Sequence, residues 1–309
     1  MKRYIAVDVG GTQIRVAVYS DNSITPLEQK KIKTQGDNKT PLERLIALLE
    51  EIWPNEGQVD SIAIGAPGYL DPKKGIVISA ANIPGWEDLP LSSILYDKFK
   101  VPVYLGNDAN LAALGEWKFG AGQGHRDLLY LTISTGIGGG IIMENQLING
   151  AKGMAGEVGH VIEVPDGPMC NCGKRGHLEA VSSGPAIAHY VKEKLAAGVP
   201  SVFPADSSPS AKEIAAAARD GDKLSNEAFE IAGFYLGRTI AGFLHILNPS
   251  ILILGGGVSQ SGDLLLNPMK ASLAEYVISP EYINNLTITT AALGDDAGLL
   301  GALALSQSF

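Results

Sequence analysis

The chain has 309 residues, more than one compact core usually holds, so two lobes are expected. Its hydrophobic share of 45% and charged share of 18% are ordinary for a globular protein. The net charge of −9 and the absence of a Lys/Arg run disfavour nucleic-acid binding through a basic face. No apolar run reaches membrane-spanning length and no signal-peptide pattern precedes the first strand, so a cytoplasmic protein is expected.

The first predicted elements are a strand, a glycine turn and a second strand. Residues 4–9 are apolar, Gly10-Gly11-Thr12 predicts a turn, and residues 13–19 alternate polar and apolar with the period of a strand. A Rossmann fingerprint or a Walker A loop requires a helix directly after its glycines, so neither pattern is met. The glycines are therefore expected to join two strands of a hairpin.

Next in the chain, a capping box with proline at the first helical position predicts a helix that begins after Thr40 and stops before Pro54. Residues 61–65 predict a strand, and a loop ending at Gly68 follows it. A second loop, without periodicity, contains Trp86. This tryptophan is either the anchor of a lid or a core aromatic, and the sequence leaves both interpretations open.

An apolar strand over residues 101–105 ends in Gly106-Asn107-Asp108, where a helical run begins at once. An open α/β sheet places its chemistry at such strand ends. A carboxylate at Asp108 can accept a proton from a substrate hydroxyl, but aspartate is also a favoured helix N-cap. This stretch alone leaves both roles open.

The same order recurs in the second half of the chain. Residues 128–134 predict a strand, Gly136 to Gly140 a glycine turn, and residues 141–143 a further strand before the turn Glu144-Asn145. The recurrence predicts an α/β fold with two similar halves. The later predictions are a helix after the capping box Ser210–Glu213, a helix over 226–247, a strand over 251–254, a helix from about Asp263, a strand over 286–290 and a C-terminal helix opened by residues 295–298.

Three glycine-rich turns follow strands, at 10–11, 136–140 and 255–257. Each can offer backbone N–H groups to anionic oxygens. With Asp8 and Asp108 near strand ends, they favour phosphoryl transfer, which needs phosphates held by N–H groups and Mg²⁺ and a hydroxyl placed beside a base.

A second cluster of unusual residues lies between 157 and 179. His160, Cys170, Cys172 and His177 make up a standard tetrahedral zinc set with no open position, so a structural zinc is predicted. The alternative is two free thiols in a surface loop. Glu157 and Glu179 flank these residues and can accept hydrogen bonds from sugar hydroxyls, although exposed glutamate is usually only solvated.

The chain resembles the ROK family of sugar kinases and sugar-responsive repressors over essentially its whole length. The motifs that carry the resemblance are Asp8-Val-Gly-Gly-Thr12, Gly65-Ala-Pro-Gly68, Asn107-Asp108, Ser134-Thr-Gly-Ile-Gly-Gly-Gly140, Glu157-x-x-His160, Cys170-x-Cys172-Gly-x-x-Gly-His-x-Glu179 and Leu254-Gly-Gly-Gly257. It implies an actin-like ATPase/ribonuclease-H-like duplicated fold with two lobes around a cleft. Residues 1–117 would form the smaller lobe, with a C-terminal helix over 296–309 packing back on it, and residues 118–295 the larger lobe with the zinc-binding loop.

The resemblance also implies roles for single residues. Asp108 would be the catalytic base. The sugar would be bound by Gly68, Asn82, Asn107, Asp108, Glu157, His160 and Glu179. ATP with Mg²⁺ would be bound by Asp8, Gly10, Gly11, Thr12, Gln13, Thr135 and Gly136, with Gly256 and Gly257 packing on the adenosine. A structural Zn²⁺ would be bound by His160, Cys170, Cys172 and His177.

Two residues depart from the family pattern. His177 stands where the family usually has a third cysteine, and imidazole is a competent zinc ligand. Gln13 stands where the family usually has lysine, which removes a cation near the nucleotide phosphates and leaves Arg15 as a candidate substitute.

The activity that the resemblance implies is ATP-dependent phosphorylation of a hexose on its primary hydroxyl. Glucose is the first candidate, because residues 82–86 resemble the glucokinase version of that loop. Mannose, fructose or an N-acetylhexosamine, and polyphosphate as donor, are the alternatives. A sugar-sensing repressor is a second hypothesis, which would need an N-terminal helix-turn-helix, whereas this chain starts at the first strand. A sugar-binding protein that has lost catalysis is a third hypothesis. The expected partners are a small sugar and a nucleotide, with no nucleic acid or membrane, in a homodimer or homotetramer.

Overall fold

The computed structural model describes residues 2–21, 23–36 and 38–308. The strands are β1 (Lys2–Val9), β2 (Gln13–Ser20), β3 (Glu28–Lys33), β4 (Gln58–Ala66), β5 (Tyr69–Asp71), β6 (Ile76–Ser79), β7 (Glu87–Leu89), β8 (Val103–Asn107), β9 (Leu128–Ile133), β10 (Ile137–Met143), β11 (Gln146–Leu147), β12 (Ile251–Gly255) and β13 (Thr287–Thr290). The helices are α1 (Pro41–Ile52), α2 (Leu91–Phe99), α3 (Asp108–Phe119), α4 (Glu179–Ser182), α5 (Gly184–Ala196), α6 (Ala211–Arg219), α7 (Lys223–Leu247), α8 (Asp263–Tyr276), α9 (Glu281–Asn284) and α10 (Ala297–Ser306).

Two five-stranded sheets share one topology. Their orders are β3-β2-β1-β4-β8 and β11-β10-β9-β12-β13, so the first strand of each half lies at the centre and its hairpin partner lies beside it. In both sheets the later strands run parallel to that central strand or to the strand next to it. The predicted α/β fold with two similar halves is therefore confirmed. A small meander, β5-β6-β7, is an insertion that the sequence did not indicate.

The chain divides into two compact units. One comprises Met1–His125, Gly140–Gly156 and Ala291–Phe309, and the other Arg126–Gly139 and Glu157–Thr290. Compared with the lobes expected from the sequence, the first unit also takes in 118–125, 140–156 and 291–295. The boundary at residue 117 stays a prediction.

A buried carboxylate explains part of that extension. Glu116 in α3 is 0% exposed. Its side chain accepts hydrogen bonds from the N–H groups of Ala121 (2.9 Å), Ala292 (3.1 Å) and Leu293 (2.8 Å). The segments that follow α3 and precede α10 are thus tied to the first unit through one side chain, and three backbone N–H donors satisfy its buried charge.

Apolar side chains from one face of the first sheet, at alternate positions of its paired strands, pack with α1 and α2 in the core of the first unit. Strand residues such as Ile5 and Ile64 and the buried face of α1 are fully covered. Trp86 belongs to this core and is 2% exposed, as is Ile83. Of the two interpretations of Trp86, the core aromatic is the correct one, and the loop that contains it is anchored from inside.

The second glycine run is a correction to the sequence prediction. The turn is confined to residues 134–136, and Gly138, Gly139 and Gly140 lie within β10. A Cβ on Gly139 would come within 2.6 Å of the side chain of Val158, and one on Gly140 within 2.4 Å of Ala113. These glycines serve close packing of the strand, since any side chain there would collide with its neighbours.

Local signals elsewhere gave the correct elements. Both predicted capping boxes are present, at Thr40 for α1 and Ser210 for α6. The turn Glu144-Asn145 has positive φ at both residues, as a two-residue hairpin turn requires. α7 begins at Lys223, before the predicted start at 226, because Asp222 caps it. β3, α2 and α5 were not predicted. β3 is a lysine-rich edge strand, a composition that protects an edge but hides its period.

Among the residues that the structure describes, no helix is long and apolar enough to cross a membrane.

Candidate active site

Asp108 is the first residue of α3, directly after β8. The helix N-cap is Asn107, whose Oδ1 accepts the N–H groups of Ala109 (3.0 Å) and Asn110 (3.2 Å). The carboxylate of Asp108 turns back over the same first turn, with Oδ1 2.8 Å from the N–H of Ala109. The capping role that the sequence left open for Asp108 therefore falls to Asn107, and the partly exposed Asp108 carboxylate lies at the strand end and the helix N-terminus.

Asn107 also reaches the loop after β4. Its Nδ2 donates to the carbonyl of Gly68 at 3.4 Å, so two predicted sugar-binding residues lie together. Gly68 has a φ of +91°, and a Cβ there would come within 2.2 Å of the carbonyl oxygen of Ser79. Only glycine fits this position, which explains the Ala-Pro-Gly loop.

The hairpin turn between β1 and β2 carries the first predicted phosphate residues. The N–H of Gly10 donates to the carbonyl of Gln13 at 2.8 Å, which closes the turn, and residues 11–13 are exposed. Asn82 is exposed and its Cβ lies 3.2 Å from where a Cβ of Gly11 would be. The structure thus brings Asn82 to the glycine turn of the same unit.

Thr34 stabilises this turn through two hydrogen bonds, and the sequence did not indicate this role. It is 0% exposed, its Oγ1 donates to the carbonyl of Gly10 at 2.6 Å, and its N–H donates to the carbonyl of Thr12 at 2.9 Å. Its only sequence signal is a hydroxyl just after a strand, and that signal is common.

Asp8 lies near the end of β1, opposite Arg15 of β2. Nε and Nη2 of Arg15 donate to Oδ2 of Asp8 at 3.0 and 2.6 Å. The other guanidinium nitrogen, Nη1, lies 3.8 Å from Oδ1 of Asp296, just before α10. Arg15, which the sequence offered as a substitute for lysine at position 13, is therefore engaged by two carboxylates.

In the second unit, the turn after β9 is held by Glu179. Oε2 of Glu179 accepts the N–H of Ile137 at 2.9 Å, and a Cβ on Gly136 would come within 2.5 Å of that oxygen. The carbonyl of Ser134 accepts the N–H of Gly184, at the start of α5, at 2.9 Å. Glu179, predicted only as a sugar ligand, thus also fixes the predicted phosphate turn.

A cavity of about 660 Å³ opens beside this turn, within the volume range of small-molecule sites. Thr135 and Gly257, both predicted nucleotide residues, line it. Lys212 and Arg219 of α6 also line it, and its described lining contains no acidic side chain. The mostly apolar walls suit the base and ribose of a nucleotide, and the two cationic side chains suit its phosphates. Gly256 stands behind the lining, where a Cβ would come within 2.3 Å of the carbonyl oxygen of Ile133.

The four predicted metal ligands converge. The ligand atoms of His160, Cys170, Cys172 and His177 all lie within 4.8 Å of one another. Nδ1 of His160 lies 3.8 Å from Sγ of Cys170, and Nδ1 of His177 lies 3.2 Å from Sγ of Cys172. A tetrahedral zinc with bonds of about 2.0–2.3 Å has ligand atoms about 3.3–3.8 Å apart, so the set fits this ion.

Two glutamates contact the metal cluster. Oε2 of Glu157 lies 3.8 Å from Nε2 of His160, the ring nitrogen opposite the one that faces Cys170. Oε1 of Glu179 lies 3.2 Å from Sγ of Cys170. Burial raises the pKa of Glu157, His160 opposes the shift, and the charge of Glu179 adds to it. Burial, with the neighbouring Glu179, raises the pKa of the Cys170 thiol to about 12.

The segment that carries the cluster is anchored on α7 by a residue that the sequence did not single out. Glu163 accepts hydrogen bonds from Arg238, through Nε, and from Oγ1 of Thr239 at 2.7 Å. Nη2 of Arg238 also donates to the backbone carbonyl of Glu163 at 2.9 Å. The sequence around Glu163 could not indicate this contact, because Arg238 lies 75 residues away in the chain.

A family model supplies the deciding comparison. The ROK family model matches residues 4–308. The chain belongs to the ROK family. Its relatives include a glucokinase of Thermotoga maritima, which is 36% identical over 98% of this chain and 96% of the relative.

Solved structures agree with this ROK assignment and with the predicted actin-like fold class. The chain is similar to a ROK family glucokinase from Streptomyces griseus in complex with glucose and AMPPNP, at 36% identity and a TM-score of 0.79, over 99% of this chain and 100% of that one. It is also similar to a ROK family transcriptional regulator, a homologue of the Escherichia coli MLC protein, at 29% identity and a TM-score of 0.88, over 99% of this chain and 78% of that one.

Proposed function

We propose that this ROK chain is a hexose kinase that transfers the γ-phosphoryl group of ATP to the primary hydroxyl of glucose. The observation that carries the proposal is the carboxylate of Asp108, which lies at the end of β8 while Asn107 takes over the capping of α3. Full-length similarity to glucokinases, one of them in complex with glucose and AMPPNP, supports the sugar and the donor.

Asp108 is the general base in this proposal. Its carboxylate takes the proton of the sugar hydroxyl as that oxygen attacks the phosphorus, and ADP leaves. The nucleotide is bound by Asp8, Gly10, Gly11, Thr12, Gln13, Thr135, Gly136, Gly256 and Gly257, with Lys212 and Arg219 in the cavity beside the second turn. A magnesium ion bound with ATP would neutralise phosphate charge, and the Asp8 carboxylate is an oxygen donor of the kind that this ion prefers.

The sugar-binding residues in the proposal are Gly68, Asn82, Asn107, Asp108, Glu157, His160 and Glu179. In the first unit, Asn107 contacts Gly68. In the second unit, Oε2 of Glu157 lies 3.8 Å from Nε2 of His160, and the carboxylate of Glu179 lies beside Sγ of Cys170. Carboxylate oxygens accept hydrogen bonds from hydroxyls, and an imidazole N–H donates one.

We further propose that the His160, Cys170, Cys172 and His177 cluster holds one structural zinc ion. Two thiolates and two neutral imidazoles balance the charge of Zn²⁺, so replacement of the family's third cysteine by His177 leaves a neutral site. The bound metal would hold the loop closed and orient His160, whose second ring nitrogen faces Glu157.

A homodimer or homotetramer in the cytoplasm completes the proposal. Both cysteines are free thiols within one metal set, which suits a reducing compartment. Ile246 and Ile278 are 79% and 78% exposed, and the N–H of Ile278 donates to Nε2 of His245, next to Ile246. Exposed aliphatic side chains of this size favour contact with another subunit.

A sugar-sensing regulator without turnover is the second candidate, because the structural similarity to a ROK transcriptional regulator is also high. Kinases for mannose, fructose or N-acetylhexosamines, and polyphosphate as the donor, are further alternatives within the enzyme class. These candidates differ in whether phosphoryl transfer occurs, and to which sugar.

A coupled ADP-release assay separates them. Zinc-replete protein is tested with ATP and glucose, mannose, fructose, N-acetylglucosamine or N-acetylmannosamine, and transfer from polyphosphate is followed by sugar phosphate formation. We expect the highest kcat/KM for glucose with ATP. Sugar binding by calorimetry without any transfer would refute the kinase and favour the regulator, whereas a higher kcat/KM for another sugar would correct the substrate.

A further inference from the structure

Arg15 engages Asp8 through the register of the sheet. β1 and β2 pair antiparallel with these two residues directly opposite each other, so both side chains lie on one face. Two guanidinium nitrogens, Nε and Nη2, donate to the same carboxylate oxygen, Oδ2, at 3.0 and 2.6 Å. The side chains are 20% and 19% exposed, so solvent screens this pair less than a surface pair.

The other oxygen of Asp8 has a different environment. From the described part of the chain, Oδ1 accepts no hydrogen bond. It lies beside Gly298 in the first turn of α10, where a Cβ would come within 3.1 Å of Oδ1. Arg15 therefore engages Oδ2, and Oδ1 is left for a ligand beside the first turn of α10.

The third guanidinium nitrogen faces a second carboxylate. Nη1 lies 3.8 Å from Oδ1 of Asp296, which is 61% exposed. One cation against two anions leaves a net charge of −1 on the group. A guanidinium engaged by two carboxylates is poorly suited to bind phosphate, so the geometry does not favour Arg15 as a replacement for the lysine absent at Gln13.

We propose that Arg15 is a positioning residue, which holds the Asp8 side chain so that its free oxygen faces the magnesium ion bound with the nucleotide. This inference rests on the proposed kinase function. A carboxylate oxygen is the donor that Mg²⁺ prefers, and Oδ1 is such an oxygen. Residues that orient a metal-binding side chain typically contribute about 10–100-fold to metal affinity.

Calorimetric titration of the zinc-replete protein with ADP, with Mg²⁺ and in chelator-free buffer without added Mg²⁺, tests the proposal without turnover. In wild type, Mg²⁺ should strengthen ADP binding. In Arg15→Met we expect this gain to fall by about tenfold or more, with the affinity for ADP without Mg²⁺ and the affinity for glucose unchanged. Arg15→Lys, which keeps the charge and a donor, should retain part of the gain. Lys30→Met is the matched control, because Lys30 of β3, in the same sheet, also lies between two carboxylates, Glu28 of β3 and Glu51 of α1.

Two results would overturn the inference. Equal loss of ADP affinity with and without Mg²⁺ would make Arg15 a phosphate ligand, and an unchanged gain with a lowered Tm would make the pair purely structural. If Arg15→Met does not fold, Arg15→Lys decides, and a gain reduced by less than about threefold overturns the proposal. A wild-type protein that binds no ADP refutes the proposed function itself, which separates that failure from a failure confined to Arg15.

Discussion

At the residue scale, Asn107 caps α3 and Asp108 supplies the carboxylate proposed as general base, two roles that the sequence could not assign to one residue or the other. Both are good helix caps and adjacent in sequence. The backbone of β8 continues through Asn107, and its side chain therefore points to the open N–H groups of α3. Asp108 is the first helical residue, with its partly exposed carboxylate directly after the end of β8.

We predict that Asp108→Asn loses about 10²–10⁴-fold in kcat, because asparagine keeps the shape and lacks the basic oxygen. The dissociation constant for glucose should stay close to wild type. The measurements are steady-state kinetics and calorimetry. Asp97→Asn, an exposed carboxylate near Lys100, is the matched control and should retain full activity. Wild-type kcat in Asp108→Asn would remove this residue from the mechanism.

The metal cluster gives a second prediction at this scale. Protein purified without added zinc should contain one zinc per chain by elemental analysis, since four ligand atoms already converge within 4.8 Å. Cys170→Ala should lose the metal and lower the Tm, because it removes one of the four ligands and empties a buried position, since Cys170 is only 2% exposed. Lys174→Ala, in the same loop but outside the cluster, should keep both. Unchanged metal content in Cys170→Ala would exclude the site.

At the element scale, the long helix α7 begins where it does because of Asp222. This carboxylate caps the helix through the N–H and Oγ of Ser225, at 2.9 and 2.6 Å, and accepts the N–H of Val202 at 3.0 Å and Oγ of Ser201 at 3.0 Å. Burial alone would raise the pKa of Asp222, but these hydrogen bonds hold it below its ordinary value of 3.8.

Asp222→Ala should therefore destabilise the protein by about 2 kcal/mol near neutral pH, as loss of a good cap does. A carboxylate with a lowered pKa stabilises the fold above its unfolded-state pKa, and this contribution is lost as pH falls through the folded-state value. The difference in the free energy of unfolding between wild type and Asp222→Ala should thus be constant from pH 5 to 7 and shrink below about pH 4. Urea unfolding measures it. Asp220 is exposed and lies two residues earlier, so Asp220→Ala is the control and should change the free energy of unfolding little. A difference between Asp222→Ala and wild type that does not depend on pH would contradict the role of the Asp222 carboxylate.

At the scale of the whole molecule, the exposed aliphatic residues of the second unit bear on assembly. We predict a dimer or tetramer by light scattering coupled to size exclusion. Replacing both Ile246 and Ile278 by aspartate should lower the mass toward that of one chain, because charge opposes burial in an interface. Val202→Asp, also 68% exposed, is the control and should leave the mass unchanged. A wild-type monomer at micromolar concentration would refute the prediction.

Features that depend on neighbours in the chain could be predicted from the amino-acid sequence. Capping boxes at Thr40 and Ser210, the Glu144-Asn145 turn and the glycine hairpin after β1 all appear as predicted, because each is satisfied by groups within a few residues. The convergence of His160, Cys170, Cys172 and His177 was predictable for a related reason, since the four residues occupy one short stretch and their chemistry is distinctive. Recurrence of one strand and turn order was enough to predict two similar halves.

Features that depend on residues distant in sequence could not be predicted, because they arise from the packing of separate elements. Gly140 lies in a strand with no room for a side chain beside Ala113 of α3, and Trp86 is buried in one cluster with side chains of strands and helices distant from it in sequence. Thr34 and Glu163 support the candidate site through partners 24 and 75 residues away. Local propensity carries no record of such contacts, because they form only when separate elements bury their faces against one another.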